Sequence, residues 1–109
     1  MEPLLVITNL PGQDSARRVA EALIAGRLAA CVNLLAPCAS VYRWQGKIET
    51  AEEIPLLIKT LASHYGKVEA IIRQHHPYEL PEIIAVPISA GLPEYLAWVA
   101  AETEQGIDS

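Results

Sequence analysis

The stretch LAACVNLLAPCASVYRWQGKIETAEEIPLLIKT, residues 28–60, decides how this chain folds. It reads as two long strands turning at Gln45-Gly46, where glycine supplies the positive φ that a tight hairpin needs. Tyr42 and Trp44 alternate onto one face of the first arm, while Ile48, Ile54, Leu56 and Ile58 share one face of the second. Both arms outrun the usual strand of about five or six residues. A ribbon this long projects past a small sheet, so its apolar side chains lack cover in a single copy. Pro37 and Pro55 each lack a ladder donor, which predicts a bulge or bend at both.

Upstream of the ribbon, PLLVITN (3–9) is a continuous apolar run, as expected of a strand covered on both faces. LPGQDS (10–15) turns the chain, with Asp14 or Ser15 placed to cap a helix. Ala16, Val19, Ala20, Leu23 and Ile24 then recur at helical spacing, and Gly26 is placed to end the helix. Downstream, Ser63 caps a second helix carrying Tyr65, Val68, Ile71, Ile72 and His75, and Pro77 stops it. PEIIAVPIS (81–89) is a last strand that Pro87 assigns to a sheet edge. GLPEYLAWVAAETE (91–104) is a final helix with Leu92, Leu96 and Val99 in one stripe and Tyr95 and Trp98 beside it. The order predicts an α+β, ferredoxin-like βαββαβ domain over residues 1–109, with an antiparallel four-stranded sheet, a long central hairpin and a C-terminal helix.

The chain is 51% apolar, rich for a small body, which points to burial against another subunit. A formal charge of −5 without a basic run argues against nucleic acid and anionic membrane as partners. The N-terminus lacks the pattern of a signal peptide, so a cytoplasmic location is expected. Cys31 and Cys38 lie in one extended segment, about 23 Å apart by strand rise, too far for a disulfide. Reduced thiols are therefore expected.

No enzyme signature is present: the chain lacks a Gly-rich phosphate loop, a G-x-S-x-G and an H-E-x-x-H. The expectation is a protein that catalyses nothing, and LPGQDS is at most a weak anion site at a helix start. RQHHPYELPEII (73–84) is the stretch with chemical interest. His75 and His76 close a helix, where histidines complement the dipole and cap carbonyls. They are also candidate metal ligands, with Cys31, Glu79, Glu82 or a residue of a second subunit needed to complete a site. A rival reading gives His76, Tyr78 and Glu79, or the Cys31 thiol, an acid–base or nucleophilic role. Glu49, Glu52 and Glu53 read as a solvated face near the hairpin. Lys59 ends an apolar strand and needs a partner.

The segments AACVNL, YRWQGKIE, EIPLLIKT, HHPYELPEII and YLAWV resemble, in order and spacing, the CutA1 family of divalent-cation tolerance proteins. The resemblance implies a ferredoxin-like subunit in a PII-like homotrimer with clefts between subunits. Tyr42, Trp44 and Ile48 would then lie at the trimer interface. It also implies a cytoplasmic role in metal homeostasis, with weak binding of copper or another divalent cation. The family's proposed copper site corresponds to His75 and His76 plus a cysteine late in the first strand, where this chain has Thr8. Thr8 is a much poorer soft-metal ligand, which argues against tight Cu(I) binding. By likeness to PII proteins, the alternative role is small-ligand sensing in the intersubunit cleft. Pro55 would suit a central strand only if it lay in the ribbon beyond the main sheet.

Overall fold

Alternating burial along the first strand sets the layers. The computed structural model describes residues 1–105, and in it β1 (Pro3–Leu10) points Leu4, Val6, Thr8 and Leu10 inward while the intervening residues are half-buried. The order continues α1 (Gln13–Ala25), β2 (Cys31–Leu34), β3 (Cys38–Trp44), β4 (Lys47–Leu61), a 3-10 turn (Ala62–His64), α2 (Tyr65–His75), β5 (Ile83–Pro87) and α3 (Pro93–Glu102). Strands lie in the order β2-β4-β1-β5, every pairing antiparallel, with β3 extending the hairpin along β4. This is the expected α+β, ferredoxin-like arrangement.

Helices α1 and α2 pack together over one sheet face. Val19 and Leu23 of α1 and Val68 and Ile72 of α2 meet Val6, Leu10, Leu56 and Ile58, all fully buried. Each such side chain contributes about 1.5–3 kcal/mol when removed from water. The opposite face is different. Leu5, Ile7 and Leu57 are only half-buried, and Ile84 and Val86, which pair with Ile7 and Leu5, are exposed. The apolar run of β1 predicts cover on both faces, but a single chain provides full cover on one.

The hairpin turns where expected, with φ of 52° at Gln45 and 81° at Gly46. Its register holds a surprise. Leu34 pairs with Leu56, yet Cys38 pairs with Glu53: four steps on the first arm oppose three on the second. One extra residue at Leu35-Ala36-Pro37 therefore forms a bulge, and a one-residue shift reverses which side chains share a face. Tyr42 pairs with Glu49 and Trp44 with Lys47, whereas Ile48 pairs with Arg43. Ile48 thus lies on the opposite face of the ribbon from Tyr42 and Trp44, so the three do not form one contiguous surface patch.

Pro55 lies opposite Asn9, inside the main sheet rather than beyond it. Its carbonyl accepts the Leu35 N–H at 2.9 Å, so its missing donor faces the same broken stretch of the neighbouring arm. In an antiparallel ladder a residue's N–H and C=O point to one side, so no bond to β1 is lost. The two prolines share one interruption.

Helix ends also differ from expectation in detail. Gly12, not Asp14 or Ser15, is the N-cap of α1, and the Ser15 hydroxyl donates back to the Gly12 carbonyl at 3.2 Å. At its far end Gly26 keeps a φ of −82°, while Arg27 takes the left-handed conformation at 56°. The Arg27 guanidinium donates to the carbonyls of Ala101 and Glu104, so it caps and neutralises the end of α3. Before α2 a 3-10 turn stands in place of a Ser63 cap. In α3 Val99 is buried, but Tyr95 and Trp98 remain exposed, as does Leu92 at its N-cap. Pro87 is in the edge strand, as its missing donor requires.

Candidate functional site

The helix-to-strand connector after α2 is built around His76. Pro77 disfavours helical backbone in the residue before it, and His76 accordingly adopts φ −84°, ψ 131°. Its side chain turns inward and is only 8% exposed. Nδ1 accepts the Tyr78 N–H at 3.1 Å, and Nε2 faces the Asn9 carbonyl at 2.6 Å. A backbone N–H only donates and a carbonyl only accepts, so the ring is a neutral tautomer with its proton on Nε2. The Tyr78 ring packs against it, centroids 4.7 Å apart.

Two further bonds tie the connector to the end of β1. Thr8 Oγ1 donates to the Glu82 carbonyl at 2.7 Å, and Asn9 Nδ2 donates to Glu82 Oε1 at 3.0 Å. The connector is thus held against the ribbon, and between them lies a cleft of about 1050 Å³. Tyr42, Trp44, Glu53, Tyr78, Glu79 and Ile84 are among its walls. Burial holds the Tyr78 hydroxyl above its ordinary pKa, and the neighbouring Glu53 carboxylate raises it further. A shallower hollow of about 450 Å³ lies at the start of α1, between Pro11–Ser15, Arg18 and Pro77, where the sequence suggested a weak anion site.

The candidate ligands do not converge. Among the described residues no group of three or more His, Cys, Asp or Glu is placed to hold a metal ion. His75 is half-buried in the last turn of α2, and both nitrogens of His76 are already engaged. Cys31 pairs with Lys59, which lies opposite Leu5, whereas His76 is bonded at Asn9, four residues further along β1. That offset alone is about 13 Å of strand, so Cys31 does not complete a site with this pair in one chain. Instead Cys31 lies 3.9 Å from the Lys59 ammonium, which also donates to Asn33 Oδ1. Lys59 therefore has the partner its position requires. Burial raises the Tyr95 hydroxyl above its ordinary pKa, with Cys31 adding to the effect. Both cysteines are free thiols.

One wall residue escaped the sequence reading. Glu53 looks like part of a solvated acidic face, but it is only 8% exposed. Alternation along β4 is the reason: Ile54, Leu56 and Ile58 point to the helices, so Glu53 points the other way, to the cleft side of the ribbon, opposite Cys38. The signal in the sequence is that same alternation, since Glu53 stands next to Ile54 and so on the face opposite the apolar stripe.

These features define a class: an α+β protein on a four-stranded antiparallel sheet, with an overlong ribbon and a cleft beside it. A solved CutA structure from Xylella fastidiosa superposes with a TM-score of 0.92 at 47% identity, covering 95% of this chain and all of that one. The divalent-cation tolerance protein CutA of Thermus thermophilus is 43% identical over 103 residues, 94% of this chain and 99% of its own. Protein CutA of Mus musculus is 44% identical over 94 residues, 86% of this chain, which spans only 53% of the mouse protein. Residues 4–102 match the family model described as CutA1 divalent ion tolerance protein, and the chain belongs to the CutA1 family.

Proposed function

We propose that this protein serves divalent-cation tolerance as a homotrimer that engages metal weakly and catalyses no reaction. The observation that carries the reading is uncovered apolar surface. Ile48 is 71% exposed, Val41 69% and Leu92 67%, and the second sheet face is half-bare. So much apolar area in a small chain favours burial against further copies. The relatives' name supplies the role in cation tolerance.

Weak binding follows from the state of the histidines. His75 is the freer donor; His76 joins only by giving up its bond to Asn9 or to Tyr78. Copper or another borderline divalent ion suits imidazole donors. Thr8, fully buried and bonded to the Glu82 carbonyl, adds no soft ligand. Two free thiols suit a reducing, cytoplasmic setting. Calorimetric titration of the metal-free protein with Cu(II) tests the reading. Weak binding that His75→Ala abolishes supports it, and unchanged binding in both His75→Ala and His76→Ala removes these residues as ligands. The cleft beside the ribbon favours a second reading, small-ligand sensing of the PII kind.

A further inference from the structure

We draw no further inference here: the strongest candidate, the side-chain cluster of Cys31, Lys59 and Tyr95 where β2, β4 and α3 meet, stands in one row with Leu5 and Val86 on the sheet face that further copies would cover, and nothing in the structure shows what meets it there.

Discussion

Replacing His76 by alanine tests whether this residue is first a structural pin. The substitution deletes two hydrogen bonds, to the Asn9 carbonyl at 2.6 Å and from the Tyr78 N–H at 3.1 Å. Each is worth about 0.5–1.5 kcal/mol net, and the Asn9 carbonyl would lose its partner. Loss of the buried ring, which packs on Tyr78 at 4.7 Å, adds to this. The expected destabilisation is about 2–3 kcal/mol. His75→Ala, at a half-buried position, should cost no more than about 0.5–1 kcal/mol. Urea denaturation followed by circular dichroism, at one fixed protomer concentration, gives both values. With a slope of about 2 kcal/mol/M, the His76 midpoint should fall by about 1 M or slightly more. Equal midpoints for parent and His76→Ala, or a larger loss in His75→Ala, would refute the reasoning.

Gly46→Val should cost about 1–2 kcal/mol through the left-handed backbone alone, because an added Cβ meets nothing within 4 Å; thermal melting measures it. Thr8→Val should cost about 1 kcal/mol by removing the donor to the Glu82 carbonyl, seen as a shift in the urea midpoint. Thr8→Cys places a soft ligand next to Asn9 and should strengthen Cu(I) binding in a competition titration with a chelator. Tyr65, Tyr78 and Tyr95 all have pKa values raised above 10.0, chiefly by burial. Above the unfolded value the folded state then holds more protons than the unfolded one, so stability falls as pH rises past about 10. Tyr78→Phe should flatten part of that decline in denaturation midpoints taken across alkaline pH.

Period and punctuation in the sequence carry most of the architecture. The 3.6-residue stripes of α1 and α2, the Gln45-Gly46 turn and the edge proline Pro87 each have one stable local solution, and the structure adopts it. What eluded the sequence is register. A bulge is a single extra residue, and its position between Leu34 and Cys38 reverses every side chain beyond it. Together with the two-residue turn, this sets Tyr42 and Trp44 opposite Glu49 and Lys47, away from Ile48 and on the same face as Glu53. His76 was legible as a connector residue, because Pro77 dictates its backbone. Its commitment to Asn9 was not, since that partner lies in β1, 67 positions away along the chain. Within one chain Cys31 stands apart from the histidines for the same reason: its strand partner, not its sequence neighbours, sets where it lies.

The account depends most on the claim that copies of this chain cover one another's bare apolar faces. Sedimentation equilibrium at micromolar concentration measures this directly. The predicted result is a single species of three times the 11.9 kDa chain mass. A folded, stable species of one chain mass would contradict it.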